Sequence, residues 1–340
     1  MEDTKAIARD ILRNLRGSRS QVAFSRRLGY RSNVAHTWET GKRMPTGSVV
    51  FSALHRLGVD VRERIRRFTR VEPAFLSEVD PHSPEGVAAF LRELRRDTPI
   101  QEVVRRTGLS RYQVSRFLSG GAEPRLPDLL RLIDGLTARL LDAVALFADP
   151  GALPSTSEAW RRLEAARSLF WRHPRAQLVL LALDLDAYRA QPAHDDAWLA
   201  RRLDLELYEV AADLERLAHT GQIAWDGTHW TLAEVHTVDT RRYPEAGLAL
   251  KRWWTERAKQ GMDHPDASMS YNVFTVSEAD LQRIIQLHRS TYAQLRTIVA
   301  ASQPSERLVL VQHHILPLDR PSTDSHIDGP NRPMVSAKTT

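Results

Sequence analysis

The chain has 340 residues, enough for two or three domains, and 26% of them are charged, as in a soluble globular protein. It has no cysteine, so disulfides and thiolate metal sites are excluded. No apolar run approaches the roughly 20 residues that span a bilayer, and the polar N-terminal segment does not resemble a signal peptide. We therefore expect a cytoplasmic protein.

The positive charge is concentrated at one end of the chain. The formal net charge is +6, whereas residues 1–70 alone contain sixteen Lys and Arg residues against six Asp and Glu residues. The rest of the chain is therefore slightly acidic. A basic first domain on a near-neutral body favours a polyanionic partner that binds at that end.

Short helices separated by tight turns are predicted at the start of the chain. Apolar residues at spacing four indicate an amphipathic helix over residues 4–15. Ser20 can cap a helix over residues 21–28, and Ser32 can cap another over residues 33–39. Glycines end these helices, and a further apolar helix follows. This succession is typical of a helix-turn-helix domain.

A specific pattern runs through residues 20–45. Its landmarks are Ser20-Gln21, Leu28-Gly29, Trp38-Glu39, Gly41 and Pro45. The pattern resembles the Xre/Cro family of bacterial helix-turn-helix regulators. The resemblance implies a lambda-repressor-like domain that binds duplex DNA, with residues 33–39 as the recognition helix. Ala35 departs from the family, which usually has a larger aliphatic residue there, and we expect Val34 or Tyr30 to fill that volume.

An internal repeat extends this pattern to a second copy. An offset of 79 residues carries Gly29, Gly41 and Pro45 onto Gly108, Gly120 and Pro124. The second copy is centred on residues 98–120, and its recognition helix is predicted over Arg111–Phe117 with Ser110 as the N-cap. The two copies together cover about two-fifths of the chain.

The first copy offers several candidates for reading DNA. A recognition helix presents its first turn and outer face to base edges, while the preceding helix docks on the backbone. The outward candidates are Arg31, Ser32, Asn33, His36 and Thr37. Arg suits guanine because it can donate two hydrogen bonds to O6 and N7, and Asn suits adenine because it can donate one to N7 and accept one from N6. Lys42 and Arg43 are placed to contact phosphates, and the resemblance adds Gln21, which opens the supporting helix.

The equivalent candidates in the second copy are Arg111, Tyr112, Ser115 and Arg116. The excess of positive charge is smaller there, because acidic residues such as Glu102 and Asp128 lie nearby in the sequence. Two interpretations stay open: this copy binds DNA, or it is degenerate and packs on the first copy or forms a dimer. If both copies bind, one chain could engage two major-groove faces about 10 base pairs apart.

Residues 195–232 are predicted to form a winged helix. Two helices are followed by a hairpin over residues 222–232, with Asp226-Gly227 as a strong turn signal. The second helix, residues 205–218, carries four acidic side chains and a lone Arg216. Phosphates repel an acidic helix, because DNA affinity depends on phosphate neutralisation. We therefore expect a structural or protein-contact role for this unit.

A strand, a helix and a second strand are predicted over residues 268–318. The helix is expected at residues 278–301, and residues 308–318 are apolar on both faces, which suggests a central strand. The C-terminal half resembles an uncharacterised bacterial domain found behind helix-turn-helix units, which ends in a strand with a pair like Pro317-Leu318. That family implies no chemistry for this chain.

The expected fold class is mostly α, with tandem helix-turn-helix domains of the lambda-repressor type, a winged-helix-like segment and a small α+β C-terminal domain. The expected boundaries are 1–70 and 83–148 for the two helix-turn-helix copies, 155–240 for the helical and winged-helix-like region, 241–319 for the α+β domain and 320–340 for a disordered tail.

The sequence contains no Gly-rich phosphate loop and no His-Glu-x-x-His motif. His313 and His314 are adjacent, and adjacent strand residues point to opposite faces, so a shared metal ion is not expected. We predict a sequence-specific transcriptional regulator that binds double-stranded DNA and uses no cofactor. Its C-terminal half is expected to form a homodimer or to sense a small-molecule or protein effector. Two alternatives stay open: a protein-interaction adaptor with non-DNA-binding helix-turn-helix units, and an enzyme with an unrecognised C-terminal site.

Overall fold

A computed structural model describes residues 3–69, 72–233 and 244–319. Within these ranges the chain is mostly helical, with eighteen α-helices and one two-stranded sheet. The expected mostly-α class is therefore confirmed. None of the described helices is long and apolar enough to cross a membrane. The predicted disordered tail, 320–340, lies outside the described residues.

Five helices form the first copy. They are α1 (Thr4–Arg16), α2 (Gln21–Arg27), α3 (Val34–Glu39), α4 (Gly47–Arg56) and α5 (Val61–Thr69). The side chain of Ser20 accepts a hydrogen bond from the Ala23 backbone N–H and caps α2, as predicted. Gly29, at a φ of 86°, allows the sharp turn that leads from α2 to α3.

The cap of α3 differs from the prediction by one residue. Asn33, not Ser32, is the N-cap, because its side-chain oxygen accepts a hydrogen bond from the His36 backbone N–H at 3.3 Å. The helix consequently begins at Val34. Ser and Asn are both good N-caps, and the sequence did not distinguish between the two neighbours.

A second set of five helices repeats the first. A short helix, α6 (Phe75–Glu78), precedes α7 (Pro84–Arg95), α8 (Ile100–Thr107), α9 (Arg111–Ser119), α10 (Leu126–Thr137) and α11 (Leu140–Val144). Helices α8, α10 and α11 begin 79 residues after α2, α4 and α5, respectively. The offset found in the sequence is therefore also the offset of the helices. Ser110 and Gln113 form a capping box at the start of α9.

The two copies share one hydrophobic core. Buried side chains from Ile7 to Leu153 form a single cluster that includes helices of both copies. Helix α1 packs against α10, and α7 packs against α4. Each copy thus contributes its first helix to the fourth helix of the other, so the two predicted regions do not have separate cores.

A second core lies in residues 166–223. After a 3-10 turn at Pro150–Ala152, it is built by α12 (Ser157–Arg172), α13 (Ala176–Ala182), α14 (Asp186–Arg189), α15 (Asp196–Leu203), α16 (Leu207–His219) and the hairpin of β1 (Ile223–Trp225) with β2 (Trp230–Leu232). The predicted order of two helices and a hairpin is present. Asp226 stabilises the turn by accepting hydrogen bonds from the backbone N–H groups of Thr228 and His229.

The predicted α+β architecture of residues 241–319 is wrong for the part that the structure describes. From residue 244 to 319 it contains only helices, α17 (Pro244–Gln260) and α18 (Glu278–Ala301). The helix at 278–301 is confirmed, but the segments 271–276 and 308–318 are not strands. Among the described residues neither segment has a neighbouring strand with which to pair its backbone, and a strand needs that partner.

Candidate nucleic-acid interface

Helix α3 is held in place by its apolar side. Ala35 and Trp38 are buried, and the Tyr30 ring meets the Trp38 ring edge-on with centroids 5.8 Å apart. Tyr30 and Val34 both pack against the common core. Both residues that the sequence suggested as substitutes for a larger side chain at position 35 thus contribute to the core, and the outer face of α3 is left to solvent.

A buried carboxylate ties α3 to the two preceding helices. Glu39 accepts a hydrogen bond from Arg16 Nε at 2.6 Å and another from Gln21 Nε2 at 2.9 Å. The Glu39 side chain is only 7% exposed. Gln21, a predicted DNA contact, is therefore oriented by Glu39. Arg16 and Glu39 were not predicted to interact, because a hydrogen bond between residues 23 positions apart leaves no pattern in the neighbouring sequence.

The predicted base-reading side chains share one surface. Arg31, Ser32, Asn33 and His36 are exposed at the start and outer side of α3, and Thr37 is half-buried. The Thr37 hydroxyl donates to the Val34 carbonyl at 2.8 Å. The Asn33 oxygen is engaged in capping, so its amide nitrogen is the group that remains to donate to a base.

Unpaired cations surround this surface. Arg26 and Arg27 end α2, Arg31 precedes α3, and Lys42 and Arg43 follow it; all five are exposed. Among the described residues none of them forms an ion pair, in contrast to many other arginines of the chain. Arg31, Lys42 and Arg43 were predicted as contacts from the sequence. Arg26 and Arg27 were not, although paired arginines beside a recognition helix are themselves a signal for phosphate.

The second copy presents a different surface. Arg111, Tyr112, Ser115 and Arg116 are exposed on α9. The Arg116 guanidinium lies over the Tyr112 ring, 5.5 Å from its centroid, and also donates to the Gly121 carbonyl oxygen. Arg116 is therefore folded onto its own helix, and Arg111 is the cation that points freely to solvent.

A single glutamate forms ion pairs with both arginines at the end of α8. Glu102 accepts hydrogen bonds from both Arg105 and Arg106, which correspond to Arg26 and Arg27 of the first copy. These hydrogen bonds, led by the one from Arg105, lower the pKa of Glu102 to about 2. The first copy has Ala23 at the equivalent position. The same pair of arginines thus forms no ion pair among the described residues of the first copy and shares one carboxylate in the second.

The acidic side chains of α16 are partly used inside the fold. Arg175, which directly precedes α13, pairs with both Glu209 and Asp213, and Arg216 pairs with Asp213 from its own helix. Asp213 is completely buried. In the sequence Arg216 is the lone cation of this helix, because Arg175 is distant along the chain. These ion pairs attach α16 to α13, as expected for a structural element.

One comparison with known proteins gives a match. Residues 154–318 match the model of a family described only as a domain of unknown function, DUF4423. This stretch, a little under half of the chain, lies in the half that resembles an uncharacterised domain. No curated protein and no solved structure matches the chain. The Xre/Cro resemblance of residues 20–45 stays a prediction.

Proposed function

We propose that this chain is a sequence-specific regulator that binds duplex DNA through the outer face of α3, with α9 as a second contact. In this proposal α2–α3 and α8–α9 are helix-turn-helix pairs, and α15, α16 and the hairpin form a winged helix that does not face DNA. The observation that carries it is the group of five exposed, unpaired cations around α3.

The chemistry of this surface fits a duplex. Arg31 can donate two hydrogen bonds to guanine, and the Asn33 amide can donate to an acceptor on a base edge. The four flanking cations suit phosphates on either side of the groove. Glu39, the one acidic residue of α3, is buried and paired, so it does not oppose this contact.

The test is binding of the full chain to random-sequence duplex DNA across a salt series, followed by selection of a preferred site. Phosphate contacts predict that log affinity falls linearly with log salt, by about 0.9 per contact. The wild type is compared with the double variant Arg31→Ala, Asn33→Ala, which should lose preference for the selected site.

A matched control separates base reading from a general loss of charge. Arg161→Ala removes one positive charge from α12, where the Arg161 side chain is exposed and lies outside residues 244–319. It should leave both the affinity and the preferred site unchanged. Absence of duplex binding at low salt would contradict the proposal and favour the adaptor alternative.

We also propose that residues 244–319 contact a second copy of the chain. In the single chain this region exposes large apolar side chains on α18 and on both flanking segments, including Tyr271 at 90%, Val273 at 74%, Leu287 at 66% and Val299 at 72%. Side chains of this kind are usually covered in the functional state. Sedimentation should give a dimer that dissociates on dilution, and a monomer at all concentrations would contradict this part.

A further inference from the structure

The two copies meet through equivalent residues. Thr46 forms an antiparallel bridge with Arg125, which lies 79 residues further along the chain. On one side the Gly47 N–H donates to the Pro124 carbonyl at 3.1 Å, and on the other the Leu126 N–H donates to the Pro45 carbonyl at 2.9 Å. Pro45 and Gly47 correspond to Pro124 and Leu126 by the same offset. We call residues 44–48 with 123–126 the seam.

Contacts in which equivalent residues of two units exchange roles are characteristic of two-fold symmetry. In a two-fold contact, residue i of one unit meets residue j of the other while j meets i. The helices repeat this relationship, since α1 packs on α10 and α7 packs on α4. The two copies in one chain are therefore related as the two subunits of a symmetric dimer would be, by a pseudo-two-fold axis through the seam.

The seam has a tightly fitted centre. A Cβ atom added at Gly47 would lie 3.0 Å from Leu129 and 3.1 Å from Val87, both in the second copy. The corresponding residue of the second copy is Leu126, which is fully buried. Gly47 on one side and Leu126 on the other therefore define the packing of the two copies at the seam.

The axis relates the two candidate recognition helices. Helix α3 ends at Glu39, seven residues before the bridge, and α9 ends at Ser119, six residues before it. Each helix end therefore lies within about 25 Å of the seam. This bound is compatible with the 34–36 Å that separates successive major-groove faces on one side of B-DNA.

We propose that one chain binds an inverted pair of unlike half-sites, with α3 on one half-site and α9 on the other. A two-fold reader matches half-sites in opposite orientation, whereas a direct repeat would need two units related by translation. The half-sites are unlike because the side chains differ. Arg31, Asn33 and His36 lie at the start of α3, and Arg111, Tyr112 and Ser115 lie on α9. This inference rests on the proposed function.

The first part of the test concerns orientation. The full chain is used to select a site from random duplex DNA, and the selected duplex is compared with one in which a single half-site is reversed at unchanged centre-to-centre distance. The reversed duplex should bind about 10- to 100-fold more weakly, because it presents wrong bases to one helix. Equal binding to both duplexes would overturn the proposal.

The second part assigns each half-site to a helix. Arg31→Ala should relax base preference in one half-site only, and Arg111→Ala in the other only. Both side chains are exposed, so neither substitution should disturb the fold, and Arg161→Ala on α12 should relax neither half-site.

Two results would overturn the inference while leaving DNA binding intact. One is that Arg31→Ala relaxes both half-sites equally, because two chains would then each present α3. The other is that selection returns a single half-site. No duplex binding at low salt would overturn the proposed function, and this inference with it.

Discussion

Thr46 and Arg125 are paired in an antiparallel bridge although 78 residues separate them in the chain. Arg125 also donates from Nη1 to the Met44 carbonyl at 2.6 Å, so it holds the seam with its side chain as well as its backbone. Cα atoms in an antiparallel pair lie about 4.5–5.5 Å apart, a separation that a disulfide can span.

The bridge can be tested with cysteines, because the chain has none of its own. The double variant Thr46→Cys, Arg125→Cys should form a disulfide within one chain upon oxidation. A non-reducing gel should show a faster-migrating monomer that reverts on reduction. Each single variant is the control and should not give this band. Disulfides found only between chains would contradict the pseudo-two-fold packing.

Glu39 should be important for the stability of the first copy. Glu39→Leu removes the carboxylate that accepts from the Arg16 guanidinium and the Gln21 amide, so the free energy of unfolding should fall by about 2–3 kcal/mol. This is below the full effect of breaking a buried pair, because Arg16 is 25% exposed. Chemical denaturation checks this value, and an unchanged midpoint would contradict it.

The second copy supplies a rescue for that variant. Ile100 and Leu118 occupy the positions that correspond to Gln21 and Glu39. The double variant Gln21→Ile, Glu39→Leu reproduces this apolar pair and should recover part of the lost stability, since a well-packed apolar replacement is often neutral. If the double variant were no more stable than Glu39→Leu alone, the hydrogen bond between Gln21 and Glu39 would not contribute to stability as a pair.

Glu102 should restrain DNA binding by the second copy. Glu102→Gln removes the charge that pairs with Arg105 and Arg106, so Arg105, whose side chain is 55% exposed, becomes available to a phosphate. The slope of log affinity against log salt should become steeper by about 0.9. Glu158→Gln on α12 removes an equal charge from a different glutamate–arginine pair, the one with Arg162, and should leave the slope unchanged. A shallower slope in the Glu102 variant would contradict this assignment.

Lys42 and Arg43 should act on phosphates without regard to sequence. The variant Lys42→Ala, Arg43→Ala should weaken selected and random duplexes alike and reduce the salt slope by about 1.8. Arg31→Ala should instead weaken the selected site by about 5- to 150-fold, which corresponds to a loss of 1–3 kcal/mol of base discrimination. Parallel titrations of both duplexes separate the two effects, and identical behaviour of the two variants would contradict their different roles.

The local features of the fold were predictable from the sequence. Ser20 and Ser110 mark helix starts because their side chains cap the helix, and the glycine turns mark helix ends. The offset of 79 residues follows from aligning the sequence with itself. The relation between the copies was not predictable. It depends on the backbone groups of residues 45–47 and 124–126, and such contacts between distant segments leave no mark in composition or periodicity.

Partnerships across long separations account for the other differences. Two ion pairs, Arg16 with Glu39 and Arg175 with Asp213, join helices that are not adjacent in sequence. A count of charges along the sequence cannot show that these side chains are paired inside the fold. The wrong strand predictions have a similar origin. Apolar alternation in residues 271–276 indicates a surface that packs, but it does not say whether a strand partner exists in the same chain.

Side-chain footprinting by hydroxyl radicals tests the central claim most directly. The full chain is oxidised with and without its selected duplex, and the protection of each reactive side chain is measured. DNA should protect His36 on α3 and Tyr112 on α9, while Tyr208 on α16 and Tyr271, exposed at 73% and 90%, should keep their reactivity. Protection of Tyr208 with unchanged His36 would place DNA on the winged-helix segment and contradict the account.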